Sequence, residues 1–184
     1  MNLYQEHYKK TILKDLSSRF LYFNCNQLTK LEKISMNIGI KDFTLKKDIT
    51  KALALEFISS NSPIVTKAKK STVLFNLKKN SPNGFKLNIN KNKTYIFFQK
   101  LGFYVFPNFK TNKNFLNLSN NNSLSFSIRE IESFQELTFF YSFFKNISSI
   151  DINIKLKNIN KKPNDIETLF FLTSFRLPIL LLRK

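Results

Sequence analysis

The tightest constraint on the fold is a period of two. Residues 150–157 read Ile-Asp-Ile-Asn-Ile-Lys-Leu-Lys, so Ile150, Ile152, Ile154 and Leu156 alternate with Asp151, Asn153, Lys155 and Lys157. Successive side chains of a strand point to opposite faces, so this segment has one apolar face and one polar face. On a helix the same residues would be spread around the axis. The period recurs at Ile34, Met36, Ile38 and Ile40, which alternate with Lys33, Ser35, Asn37 and Gly39. It recurs again at Phe85, Leu87 and Ile89 against Lys86, Asn88 and Asn90, and at Leu124, Phe126 and Ile128 against Ser125, Ser127 and Arg129. A further run, Val73, Phe75 and Leu77 against Leu74, Asn76 and Lys78, is expected to pair with 85–89 as an antiparallel hairpin with a long tip.

Between these strands the spacing becomes helical. Leu3, Tyr4, Tyr8, Ile12, Leu16 and Phe20 predict an N-terminal helix within residues 1–23. A second helix is expected from Asp48, with Ile49, Leu53 and Phe57 as its apolar stripe. Residues 94–106 are apolar nearly all round and predict a buried helix ended by Pro107. Pro163 suits the first turn of a last helix, and Asp165 and Glu167 are favourable near its N-terminus. Residues 108–122 are polar and Asn-rich and predict a mobile loop. In 130–149 the phenylalanines Phe139, Phe140, Phe143 and Phe144 fit either a core or a contact patch. The order predicts one α+β domain over residues 1–184: a largely antiparallel sheet, helices packed on one face, and an open polar and basic face.

Charge says what that open face is for. The chain has 30 basic residues against 12 acidic ones, a net charge of +18. Residues 62–91 hold Lys67, Lys69, Lys70, Lys78, Lys79, Lys86 and Lys91 with no carboxylate, and are expected to form a protruding basic hairpin whose loop contains Pro82 and Gly84. A buried unpaired ammonium is too costly, so these side chains face water or a polyanion. A charge run is often only a solvated face, but here the excess is chain-wide, and an acidic partner would relieve the self-repulsion. The outward residues Lys33, Ser35, Asn37, Lys86 and Asn88 can donate to phosphates, ribose hydroxyls and base edges. Nucleic acid is the first candidate partner. The alternative is a basic peripheral membrane protein using the phenylalanines of 139–144.

Other classes find little support. A bilayer span needs about 20 apolar residues; residues 168–182 are fewer and are broken by Arg176 and Pro178, so no span is expected. The first ten residues have neither a signal-peptide core nor a transit-peptide pattern. His7 is the only histidine and Cys25 the only cysteine, with no spacing that suits zinc. The P-loop, GxGxxG and GxSxG patterns are absent, so no catalytic residue, metal or cofactor is expected. The RNP pattern of RRM domains is missing too. Abundant Lys, Asn, Ile and Phe, with 3 Gly and no Trp, match A+T-rich codons.

The motifs also carry a family likeness. Residues 31–39 (LEKISMNIG), 63–71 (PIVTKAKKS) and Pro82-Asn83-Gly84-Phe85-Lys86 strongly resemble the large-subunit ribosomal protein L five family, in its bacterial type. The likeness is collinear through HYKK near the start, 95–107, 123–137, 150–154 and Phe175-Arg176-Leu177-Pro178. It implies a structural, non-catalytic protein of the central protuberance of the large subunit. The implied partners are 5S rRNA and/or large-subunit rRNA, peptidyl-site tRNA, neighbouring central-protuberance proteins and a small-subunit head protein. By position, Asn37, Asn61 and Asn88 would face 5S rRNA, and Thr66, Lys67, Lys69 and Lys70 would lie in the rRNA-binding strand. Asn76, Lys78, Lys79, Asn80, Ser81, Pro82 and Asn83 would form the tRNA-proximal loop, and 108–122 would lie near the small subunit.

Departures from the family pattern are Asn61 for Gln in Gly-Gln-Lys-Pro, Asn88-Ile89-Asn90-Lys91 for Thr-Leu-Arg-Gly, and Asn108-Phe109-Lys110-Thr111 for an arginine-bearing loop. Lysine keeps the charge but lacks the bidentate fork of arginine. The tail 179–184 would pack on a neighbour or on the chain's own core. The composition and the N-terminus point to the mitochondrial matrix, with a plastid or an A+T-rich bacterial cytoplasm as alternatives.

Overall fold

A computed structural model describes residues 2–22, 24–40, 45–73, 77–108, 117–119, 123–157 and 165–177. Six strands form one sheet in the order β2-β3-β1-β6-β5-β4. They are β1 (Lys30–Gly39), β2 (Ile64–Lys67), β3 (Pro82–Asn90), β4 (Asn117–Ser119), β5 (Ser123–Ile128) and β6 (Ile150–Lys157). β2 runs antiparallel to β3 with Ile64 opposite Lys86, and β4 antiparallel to β5 with Leu118 opposite Leu124. The helices are α1 (Leu3–His7), α2 (Leu13–Arg19), α3 (Leu45–Ser59), α4 (Asn92–Lys100), α5 (Gln135–Thr138), α6 (Tyr141–Phe144) and α7 (Asp165–Ser174). The fold is α+β with an antiparallel sheet, as the alternation predicts. In β6 every odd position is exposed and every even one buried, starting from Ile150.

By its contacts the predicted domain divides into two compact units. The first comprises Met1–Ile34, Asn90–Phe126 and Asn153–Lys184; the second comprises Ser35–Ile89 and Ser127–Ile152.

In the first unit, Tyr4, Tyr8, Ile12 and Leu16 are buried at strict intervals of four. An α-helix turns every 3.6 residues, so that spacing would drift around the axis. A widened π turn, Tyr8–Ile12, joins α1 to α2 and takes up the drift. The helical run stops at Arg19, short of the predicted end, because Phe20 is extended at φ −118°, ψ 136°. A second π turn, Leu101–Val105, continues α4. The Tyr4 ring lies 5.9 Å from Phe98 and 5.2 Å from Phe175. A Cβ at Gly102, in this second π turn, would meet the Tyr4 hydroxyl, so glycine leaves room there for the Tyr4 side chain. The segment 94–106 is not buried all round: Thr94, Phe97, Phe98, Leu101 and Val105 face the core, while Ile96, Phe103 and Tyr104 are exposed. An all-apolar helix with one covered face leaves the other to solvent.

In the second unit α3 packs with α5 and α6. Its inner residues are Ala54, Leu55 and Ile58, and the predicted stripe Ile49, Leu53 and Phe57 is exposed. Both stripes are apolar, and periodicity alone does not choose between them. The helix starts before Asp48, which is buried beside Lys51 at 3.6 Å. Ser60 ends it at φ 55°, its N–H bonding the Glu56 carbonyl at 2.7 Å. The ambiguous stretch 130–149 divides between core and exposed surface. Phe134, Leu137, Phe144 and Ile147 are core, while Phe139, Phe140, Tyr141 and Phe143 are exposed.

Within 108–122, Asn117–Ser119 forms the edge strand β4 and not part of a loop, because pairing satisfies backbone groups of β5. Residues 109–116 and 120–122 of that expected loop, Pro163, and the tail 178–184 lie outside the described residues.

Candidate nucleic-acid interface

The basic segment of the second unit is built from arms that differ from those expected. The strand facing β3 is β2, at Ile64–Lys67; of the expected strand 73–78, residues 74–76 lie outside the described residues and Leu77 pairs with Thr72. Pro82 and Gly84 lie inside β3 and not in a loop. The reason is register. The run 64–67, Ile-Val-Thr-Lys, does not alternate and so is not singled out by periodicity, yet it is the stretch that meets β3, and Val73 is left 92% exposed. Pairing continues past β2 with a register shift at Thr66/Lys67. The Ala68 N–H donates to the Ser81 carbonyl at 2.9 Å, and the Asn80 N–H to the Ala68 carbonyl at 3.0 Å. Thr72 and Leu77 then exchange two backbone hydrogen bonds of 3.0 and 3.1 Å. A turn at 78–81 is closed by the Ser81 hydroxyl on the Lys78 carbonyl at 2.6 Å, with Asn80 in the left-handed region at φ 67°.

This clamped backbone displays the lysines. Lys67, Lys69, Lys70, Lys78, Lys79 and Lys86 are all exposed, and none of them makes an ion pair among the described residues. Ala68, between Lys67 and Lys69, is buried and anchors the run. Thr66 serves the fold, since its hydroxyl donates to the Gly84 carbonyl at 2.9 Å and ties β2 to β3. A Cβ at Gly84 would stand 2.8 Å from the Ile38 carbonyl oxygen, so glycine is needed for β3 to lie against β1 here. Asn37, Asn83 and Asn88 are exposed, Ser35, Asn61 and Pro82 half-buried. Asn76 lies outside the described residues.

Lys33 and Lys91 belong to the first unit. Lys33 is half-buried, because β1 has two unburied residues in succession, Glu32 and Lys33, before Ile34. Glu32, which the alternation did not flag, pairs with Lys155 at 3.2 Å, so acid is not absent from that polar face. An exposed pair of this kind contributes little to stability. In the second unit Asp151 accepts from the Ser127 hydroxyl at 2.7 Å. Only knowledge of which strands are neighbours reveals such pairs. Lys91 is exposed and begins α4 at φ 60°, ψ −136°, its carbonyl accepting from the Thr94 N–H at 3.1 Å and the Thr94 hydroxyl at 2.5 Å.

Groups that could do chemistry are used structurally. His7 is held by Ser174 and Thr11, with ring-nitrogen contacts at 3.3 and 2.9 Å. The Glu167 carboxylate is buried and accepts from the Tyr22 hydroxyl at 2.5 Å and from the Thr29 hydroxyl. Burial, then the bond to Glu167, push the Tyr22 hydroxyl well above its ordinary range. Among the described residues no group of three or more His, Cys, Asp or Glu could hold a metal, and no helix is long and apolar enough to cross a membrane.

No family model matches the chain. It is 30% identical over 183 residues to the large ribosomal subunit protein uL5m of Reclinomonas americana, covering 97% of this chain and 98% of that one. It is 35% identical over 138 residues to uL5 of Buchnera aphidicola, covering 73% and 77%, and 33% identical over 164 residues to uL5 of a Wolbachia of Drosophila simulans, covering 87% and 92%. Similarity of this extent over most of both chains makes the chain a member of the large ribosomal subunit protein uL5 family.

Proposed function

We propose that this uL5 family member, a structural protein of the large ribosomal subunit and not an enzyme, binds ribosomal RNA through the second unit. The contact surface is the 64–81 arm with the outward residues of β1 and β3. The observation that carries the reading is the set of exposed lysines, with no ion pair among the described residues, on a backbone clamped at Ala68. Lysines on a fixed frame meet phosphates without first losing backbone freedom, which favours binding. Asn37 and Asn88 beside them offer amides to base edges and riboses.

In this reading the RNA is 5S rRNA and/or the large rRNA of the central protuberance, and the turn at 78–81 approaches peptidyl-site tRNA. The mitochondrial relative supports assembly in a mitochondrial ribosome.

Sedimentation through a high-salt gradient, with sequencing of crosslinked RNA, tests the proposal. Lys67→Glu with Lys69→Glu should abolish cosedimentation with the large subunit. For the isolated chain, log K should fall by about 0.7–0.9 per log salt for each phosphate neutralised. Normal incorporation of the double variant would show that the arm is not the RNA site.

A further inference from the structure

In the first unit the last described residue is held firmly in place. Arg176 closes α7 in the left-handed region at φ 57°, its N–H donating to the Thr173 carbonyl at 2.8 Å, and Leu177 after it is buried. α1 borders this point. The Tyr4 hydroxyl donates to the Phe175 carbonyl at 3.4 Å, and the His7 ring lies 6.1 Å from the Phe175 ring. Leu3 precedes His7 by one turn and shares its face of the helix, yet it is 60% exposed. From the π turn after α4, the Phe103 ring reaches to 5.4 Å from Tyr4 and is 51% exposed. Two large apolar side chains therefore stand uncovered around the residues that lead to Leu177.

The sequence that follows supplies a cover. Pro178 keeps α7 from resuming, and residues 179–182 read Ile-Leu-Leu-Leu. An extended residue spans about 3.3 Å, so Leu181 can lie about 13 Å from Leu177. That reach exceeds either of the ring contacts, 5.2 and 5.4 Å, that link Phe175 through Tyr4 to Phe103. Because Leu177 is buried, the run is tethered next to this face, and its local concentration there is set by a linker of one or two residues. A separate molecule has to match that advantage by affinity. Apolar run and apolar face leave water together when they meet, which is the driving force for the contact.

We propose that residues 179–182 fold back as a strap over Leu3 and Phe103, so that this face takes its cover from the same chain and not from a second protein or a lipid surface. α1 is then held down in part by residues from the other end of the sequence. The strap belongs to the first unit and the lysine arm to the second, so the inference stands independently of the RNA site.

Hydroxyl-radical oxidation of the isolated full chain, read by mass spectrometry, tests this. Phe139, 84% exposed in the second unit, is the internal reference. Without a strap, 51% against 84% exposure gives less than a twofold difference between Phe103 and Phe139. With the strap in place, Phe103 should oxidise at least fourfold more slowly than Phe139. A chain stopped after Leu177, and separately the full-length variant L180K/L181K, should raise oxidation of Phe103 and Leu3 at least threefold while Phe139 is unchanged. The buried rings of Tyr4 and Phe98 should stay protected, which shows that the first unit is still folded. Should truncation unfold the unit, the wild-type ratio and the lysine variant decide. Equal oxidation of Phe103 and Phe139 in the wild-type chain overturns the proposal. So does a folded variant in which Phe103 and Leu3 oxidise as in the wild type. Protection of Phe103 that arises only inside an assembled particle, or only on vesicles of anionic lipid, also overturns it and assigns the face to a neighbour or to a membrane.

Discussion

Lys91 occupies a conformation, φ 60° and ψ −136°, close to a region that only glycine enters without strain. Family likeness gives glycine at this position, in Thr-Leu-Arg-Gly. The strained lysine costs about 1–3 kcal/mol, and glycine's greater loss of chain entropy would offset about 0.5–1 kcal/mol of the gain on replacing it. Lys91→Gly should therefore raise stability by about 1 kcal/mol and the melting temperature by about 2–4 °C. An unchanged or lower melting temperature would mean that the turn into α4 relaxes around the side chain. The substitution also removes one exposed ammonium, so stability and RNA affinity should move in opposite directions. Strain of this kind is invisible in the sequence, where Lys91 reads as one more basic residue.

Among the elements, the junction of β1, β2 and β3 depends on one missing side chain. A Cβ at Gly84 would be 2.8 Å from the Ile38 carbonyl oxygen and 3.2 Å from the Thr66 hydroxyl oxygen. Gly84→Ala must shift β3 from β1 or displace the Thr66 bond, at a cost of about 1–3 kcal/mol. Hydrogen exchange should show it first at the Ala68 amide, which bonds Ser81 on the same arm. Unaltered protection there would mean that the arm does not depend on this contact. Element identity was legible wherever the period was strict: β6 matches residues 150–157 residue for residue. The inward face of α3 was not legible, because Ile49-Leu53-Phe57 and Ala54-Leu55-Ile58 are both apolar stripes. The partner of β3 was not legible either, since two candidate strands lie upstream and only packing selects 64–67.

At the scale of the whole molecule, the first unit is held by buried phenols. Burial raises the hydroxyls of Tyr4, Tyr8 and Tyr22, and pushes Tyr95 up to about 12. These groups stay protonated in the folded chain, while in the unfolded chain they ionise near 10. The unfolded state thus loses protons first, and the stability is full below pH 10 and falls as pH rises beyond it. Absorbance at 295 nm and circular dichroism should show these tyrosines ionising together with loss of helix. Ionisation of all six tyrosines below pH 11 with helix unchanged would contradict this packing.

By itself the sequence determined what is local or additive. The period of two makes strands, the period near four makes helices, and 30 basic against 12 acidic residues set a net charge of +18. Family motifs in 31–39, 63–71 and 82–86 are equally local. Tertiary structure alone decided which strand meets β3, which stripe of α3 turns inward, that Glu32 faces Lys155, and that Phe57 stacks on Phe140. The physical reason is that backbone periodicity is set by neighbours in the chain. Burial, ion pairing and register depend on residues far away in sequence, whose competing partnerships differ by no more than the few kcal/mol of a packed contact.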